Sequence, residues 1–387
     1  MRTASGCPVS LPPNDALVRD HAAAGSSGGP REPGDRPDAG TTWMRREITE
    51  TPDVIERLLV EGRAEIASVA AAIRAADPPW AMLVARGTSD NAAIHLRYLI
   101  ETELGIPCGL AAPSVTTIYG AEIRWRGGLV VAVSQSGRSP DLVAVVQAAR
   151  AGGAITVAIA NDTASPLVAA AAHLIDCRAG HERAVAATKS YVAQLAAGAA
   201  LVAALAPDGR LDGALARLPG TLRGSLAVAA EAIQDDSPIV AEFAASERSI
   251  VVSRGYDHAT ALEIALKLKE TGRLFAEGYS TADLSHGPIV LSGPGIPVLA
   301  IRPDGRMGPE VDVAVAAAAR SGALPWIVGG GEAVAGPHTI RLPLDVPDGL
   351  AALAFVLPGQ LLAEAVARRR GYDPDAPPGL QKVTLTR

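Results

Sequence analysis

Lysine is nearly missing from this chain of 387 residues: of 35 basic residues only Lys189, Lys267, Lys269 and Lys382 are lysines. Wherever a solvated cation suffices the sequence writes Arg, so a retained Lys points to a compact amine that can lose its proton or form an imine. Aromatics are only 3%, which leaves Ala, Val, Leu and Ile to build the cores. Three scattered cysteines, Cys7, Cys108 and Cys177, are too few for a disulfide framework or a zinc motif, and a reducing cytoplasm fits. There is no basic field either. The formal net charge of −6 argues against nucleic acid and anionic membranes as main partners. The longest apolar run, Leu195 to Ala206, is too short to span a bilayer and reads as a buried helix. A secretory core near the start and a Walker or dinucleotide glycine pattern are both lacking.

What is present is length and apolar content. With 48% hydrophobic and 20% charged residues, the chain supports two ordinary domains. Residues 1–43 are rich in Pro, Gly, Ser and Asp and are expected to be a disordered tail, with Met44 a possible true start. Glu47 to Ala76 reads as an amphipathic lead-in helix. From Trp80 onward apolar strands alternate with turns and helices: Met82 to Arg86, Leu129 to Ser134, Ala154 to Ala160 and His173 to Cys177 are strand-like. That alternation implies a parallel sheet covered on both faces. The rhythm restarts at Ile250. Val84-Ala85-Arg86-Gly87 returns 168 residues later as Val252-Ser253-Arg254-Gly255, and Ala93 and Ala261 follow at one offset. Two copies of one unit explain this. The expected fold class is therefore α/β, two doubly wound parallel sheets flanked by helices. The units run over 44–215 and 235–370, with a helical linker at 216–234 inside the stretch Ala214 to Ala245. A last helix, Gly349 to Arg370, precedes a tail at 371–387.

The stretch Leu262 to Pro288 carries the densest chemistry. Glu263, Lys267 and Glu270 fall at i, i+4 and i+7 on one helical stripe. A solvated face with ion pairs is the plain reading, but the scarcity of Lys weighs against it. His286 follows in Ser285-His286-Gly287-Pro288, a candidate acid/base partner because His titrates near neutral pH. Two other turns deliver hydroxyls to helix starts, Gly87-Thr88-Ser89 and Ser134-Gln135-Ser136-Gly137-Arg138-Ser139. At the carboxyl edge of a parallel sheet such turns offer amides, hydroxyls and a helix dipole to an anion such as a monophosphate. N-capping is the competing role for each turn alone. A third patch, Glu182 to Lys189, opens another helix, where Lys189 either snorkels or supports a site.

Gly87-Thr88-Ser89, Ser134-Gln135-Ser136-Gly137, Val185-Ala186-Ala187-Thr188-Lys189, Ala265 to Glu270 and Ser285 to Pro288 stand in the order seen in tandem SIS (sugar isomerase) domains. From about residue 44 onward the chain resembles the isomerase half of glutamine–fructose-6-phosphate amidotransferase and the stand-alone SIS-type glucosamine-6-phosphate deaminases. The resemblance implies that Ser89, Ser134, Gln135, Ser136 and Ser139, with Thr88 beside them, hold a sugar phosphate, and that Gly87, Val185, Ala187 and Lys189 lie against the sugar. It implies Glu270 as the base moving a proton between C1 and C2, His286 as the ring opener, and Lys267 as the group that stabilises the open-chain oxygen or positions Glu270. Lys382 becomes the amine that meets the open-chain carbonyl. In this family the His286 equivalent reaches a neighbouring subunit, so a homodimer with shared sites is implied.

A hexose or hexosamine 6-phosphate is the expected substrate, with no metal or organic cofactor. Ala187 where the synthase usually has Ser, and the loosely matching Asp373-Pro374-Asp375 and Leu380 to Thr386, lean toward the stand-alone proteins. Because only the tail precedes the SIS region, glutamine hydrolysis in this chain is not expected. The expected reaction is amino-sugar 6-phosphate plus water to ketose 6-phosphate plus ammonia. A synthase using free ammonia or a partner glutaminase, a fructosamine-phosphate deglycase and a non-catalytic sugar-phosphate sensor remain open.

Overall fold

The computed structural model describes residues 41–206, 208–331 and 337–382; the expected disordered stretch lies, up to residue 40, outside them. Ten longer helices order the chain: α1 (Trp43–Glu61), α2 (Arg63–Ala76), α3 (Thr88–Leu99), α4 (Pro140–Ala151), α5 (Lys189–Leu205), α6 (Asp212–Ala232), α7 (Pro238–Ala245), α8 (His258–Gly272), α9 (Gly308–Arg320) and α10 (Asp348–Arg369). Strands β1 (Ala81–Val84), β2 (Cys108–Leu110), β3 (Leu129–Ser134), β4 (Ile155–Ala160) and β5 (His173–Asp176) form one parallel sheet. Its order is β2-β1-β3-β4-β5. A second parallel sheet joins β6 (Arg248–Ser253), β7 (Phe275–Ser280), β8 (Pro297–Arg302), β9 (Leu324–Gly329) and β10 (Thr339–Arg341), in the order β10-β9-β8-β6-β7. Read from its other edge, the second sheet repeats the winding of the first strand for strand. The repeat seen in the sequence is therefore a repeat of topology.

Strands β3 and β8 are buried along their whole length, as expected of parallel strands with helices on both faces. A large central cluster of buried side chains includes Val131 and Ile159 of the first sheet, Val251 and Leu299 of the second, and much of α5 and α10. Each sheet packs its other face against a smaller cluster of its own. Helix α10 is long and apolar enough by composition to cross a membrane, but its apolar stretch is wholly buried inside the protein. It is a core helix, apolar all round because other elements surround it.

Three elements differ from expectation. The lead-in helix is two helices, since at Gly62 an added Cβ would meet the Leu58 carbonyl oxygen and the chain turns there. The stretch Ala214 to Ala245 is likewise split, into α6 and α7, by a turn ending at Ser237-Pro238, where Pro opens the second helix. Strand β2 was not foreseen: three residues are too few to show a period.

Candidate active site

The first sheet reverses its winding between β1 and β3, and the turns that leave those two strands are Gly87-Thr88-Ser89 and Ser134-Gln135-Ser136. A crevice at such a switch point is where open α/β sheets bind ligands. Here it is a cavity of about 350 Å³. Gly87 takes φ 56°, a left-handed value that glycine adopts without strain, and this starts α3 with its first amides at the cavity edge. Gly137, with φ 61°, has no room for a side chain: an added Cβ would lie 2.1 Å from Ser165 Oγ. Its amide donates to Ser134 Oγ at 3.0 Å, which closes the second turn.

Of the fourteen residues to which the resemblance gives a role at the site, twelve line this cavity: Gly87, Thr88, Ser89, Ser134, Gln135, Ser136, Ser139, Val185, Ala187, Lys267, Glu270 and Lys382. Two do not. Lys189 opens α5 and donates to Glu50 Oε2 at 2.7 Å. His286, exposed at the end of the short helix Thr281–Ser285, is outside the lining within one chain.

Helix α8 follows β6 of the second sheet yet packs against α3 of the first, so the second half places its acid–amine–acid stripe in the first half's crevice. Lys267 is fully buried; its Nζ donates to Glu270 Oε2 and to Thr88 Oγ1, the latter at 3.0 Å, and lies 3.4 Å from Glu263 Oε1. Burial alone favours the neutral amine, but Glu263 and Glu270 outweigh it and raise Lys267 above its ordinary value. Burial pushes the Glu263 carboxyl up to about 7, against the pull of Lys267. Glu263 also accepts from Thr88 Oγ1 at 3.2 Å and Asn91 Nδ2 at 2.8 Å. Glu270, with a side chain 22% exposed, is the carboxylate of the stripe that lines the cavity, beside Lys267. One oxygen held by an ammonium and a carboxylate open to the cavity make a positioned base.

Two polar lining side chains, Gln194 and Arg86, were given no role in the sequence reading. Gln194 lines the cavity, donates to Ser89 Oγ at 3.0 Å, and its buried Oε1 has no partner among the described residues. Arg86 lines it too, with its guanidinium on buried Asp141 at 2.9 Å. Glu182 is buried under Lys382 and accepts its Nζ at 2.8 Å. Leu380 and Gln381 bring the tail to the cavity; residues 383–387, part of the expected tail, are outside the described residues.

The doubled parallel sheets and the hydroxyl-lined crevice define a class, the tandem α/β proteins with a cleft at the switch point of a parallel sheet. Within it the chain belongs to the SIS domain family, whose pattern matches residues 78–204 and 242–363. It is 34% identical over 354 residues to the glutamine–fructose-6-phosphate aminotransferase (isomerizing) of Methanothermobacter thermautotrophicus, covering 88% of this chain and 57% of that protein. Its identity to the Gloeobacter violaceus enzyme of the same name is 35%, over 88% of this chain and 58% of that one. The chain thus spans under three fifths of these relatives. Among solved structures, a candidate phosphosugar isomerase of Silicibacter pomeroyi superposes with TM-score 0.76 at 38% identity, covering 87% of this chain and 100% of the other. The C-terminal domain of the Francisella tularensis glucosamine–fructose-6-phosphate aminotransferase gives 0.77 at 27%, covering 88% and 99%.

Proposed function

We propose that the chain is a sugar-phosphate isomerase that deaminates a hexosamine 6-phosphate: glucosamine 6-phosphate plus water gives fructose 6-phosphate plus ammonia. The observation that carries this reading is Glu270, held by buried Lys267 in the same cavity as the two hydroxyl turns. The phosphate sits on Ser89, Ser134, Gln135, Ser136 and Ser139, with the amides at the start of α3 and the dipole of α4 facing it. In the open-chain sugar Glu270 takes the proton from C2 and returns it at C1, leaving an imine at C2. Water adds to that carbon, the C–N bond breaks and ammonia departs. Lys267 stabilises the oxygen on which charge develops, and Lys382 stands at the carbonyl. A non-catalytic sensor has no use for a base gripped in this way.

The names of the curated relatives favour a second reading, synthesis with ammonia supplied from another source. We place His286 in the site of a second copy, and the protein in the cytoplasm. Following ammonia and fructose 6-phosphate from glucosamine 6-phosphate tests the proposal. No ammonia from any hexosamine phosphate, together with glutamine-dependent synthesis once a glutaminase is added, reverses it.

A further inference from the structure

Three segments far apart in sequence meet beside the cavity, and two of them, α1 and the residues after 370, lie outside both matched SIS segments. The Asp375 carboxylate accepts from Trp43 N at 2.9 Å and Met44 N at 2.8 Å, the start of α1, where amides lack intrahelical partners and the dipole favours an anion. Its backbone carbonyl accepts from Val185 N at 3.0 Å. One turn further along α1, buried Glu47 accepts from Arg183 N and, at 3.3 Å, from Ala184 N. The 182–189 turn is thus held by α1 and by the tail together.

Lys382 closes the loop. Its Nζ donates to Glu182 Oε2 at 2.8 Å and to Ala184 O at 2.7 Å. Glu182 has no freedom to follow a moving lysine, because Thr188 N at 2.9 Å, Ser190 N at 3.1 Å and Ser190 Oγ at 2.7 Å fix it. A tail that ran free would lose about 1 to 2 kcal/mol per residue in entropy on ordering. Two fixed points seven residues apart, Asp375 and Lys382, remove most of that freedom in advance.

We propose that helix α1 is a working part of the active site: through Asp375 it clamps the C-terminal tail onto the 182–189 turn, where Glu182 receives Lys382 and fixes its amine in the cavity. Asp375, Glu47 and Glu182 are positioning residues in this account, and its catalytic consequence rests on reading Lys382 as the amine that meets the substrate carbonyl. The clamp gives α1 a role beyond the core residues Met44, Ile48, Ile55 and Leu58 that it already buries.

The test uses the full chain and two independent readouts. Trace reductive methylation with formaldehyde and cyanoborohydride, resolved by mass spectrometry, compares Lys382 with the more exposed Lys269 in wild type, Asp375→Asn and Glu182→Gln. Losing one anchoring hydrogen bond of about 1 kcal/mol raises Lys382 labelling about fivefold in each variant. This arm needs no turnover. In the second arm Asp375→Asn lowers kcat on glucosamine 6-phosphate by about 100-fold through misplacement of the amine, leaves KM nearly unchanged, and Asp375→Glu restores part of the rate. Should Asp375→Asn fail to fold, Glu182→Gln, which keeps the volume and removes the direct acceptor of Lys382, carries the labelling readout. Unchanged Lys382 labelling in the folded variants overturns the clamp. A labelling change in a protein that deaminates no hexosamine phosphate supports the clamp and removes the proposed reaction.

Discussion

The two sheets are wound alike, but their switch points are furnished differently. A shift of 168 residues carries Gly87-Thr88-Ser89 onto Gly255-Tyr256-Asp257, and Ser134-Gln135-Ser136-Gly137 onto Arg302-Pro303-Asp304-Gly305. The glycines are kept and every Ser and Thr, with Gln135, is replaced. In the first sheet Ser134 Oγ turns back to the Gly137 amide and the crevice stays open. In the second, Ser253 Oγ donates to Ile301 O at 2.7 Å, and the Arg302 guanidinium lies over Gly308 at the start of α9, bonded to Asp312 at 2.9 and 3.0 Å. A cation of the chain sits where the first sheet leaves room for an anion. Asp348 presses on Gly305 so closely that an added Cβ would be 1.8 Å from its carboxylate. Topology makes two crevices; side chains decide which one is a site.

The largest expected effect falls on the group the first crevice borrows from the second half. Glu270→Gln removes the base and leaves the hydroxyl turns intact, so kcat should drop about 1000-fold while KM for the sugar phosphate stays near wild type. Equal turnover by the variant would mean that α8 does not supply the base. The next effect concerns the clamp, which closes on the first crevice alone. Burial, then Glu182, raises Glu47 to about 7 against its ordinary 4.5, with the Arg183 amide, Lys382 and Lys189 opposing. A raised carboxyl is favoured in its protonated form, so the fold loses this contribution as pH rises from about 4.5 through 7. Glu47→Gln, which cannot ionise, should therefore gain stability over wild type across that window, by at most about 3 kcal/mol. Urea denaturation at pH 5 and pH 8 measures it; a gap that does not widen with pH refutes the sign.

The doubled architecture was legible because parallel strands buried on both faces write themselves as apolar runs, and because Val84 to Gly87 repeats. The hydroxyl turns and the Glu263-Lys267-Glu270 stripe were legible for the same local reason, spacing along one element. Gln194 was not, since nothing in an apolar helix sequence says which polar residue meets Ser89 from another element. Glu182 stood in a patch already singled out, but its partner Lys382 lies 200 residues away. The break at Gly62 was hidden because the apolar period runs on through it. The closed state of the second crevice needed the partners of Arg302, which only tertiary structure supplies.

A smaller effect is expected at the phosphate turn. Ser136→Ala takes one hydroxyl from the first crevice, and KM should rise about tenfold, the equivalent of one hydrogen bond to a charged group. The matched change in the second crevice, Asp304→Ala, should leave KM unmoved. A comparable rise there would place substrate in both.

The smallest effect is the most informative about the comparison. Arg302→Ala empties the space over the start of α9, and if room alone distinguished the crevices, a second sugar phosphate should then bind. Charge says otherwise. The Arg302 guanidinium pairs with Asp312 and lies 3.9 Å from Asp304. Without it these two carboxylates stand uncompensated at the start of α9, and a phosphate dianion is repelled. Calorimetric titration with glucosamine 6-phosphate of Arg302→Ala combined with Glu270→Gln, which suppresses turnover, should therefore still give one site per chain, with Kd near that of Glu270→Gln alone. Asp312 is half exposed and returns to water, so the stability loss should be about 1 kcal/mol. Two sites per chain would show that the second crevice was merely plugged, and that the acids behind the plug do not set its character.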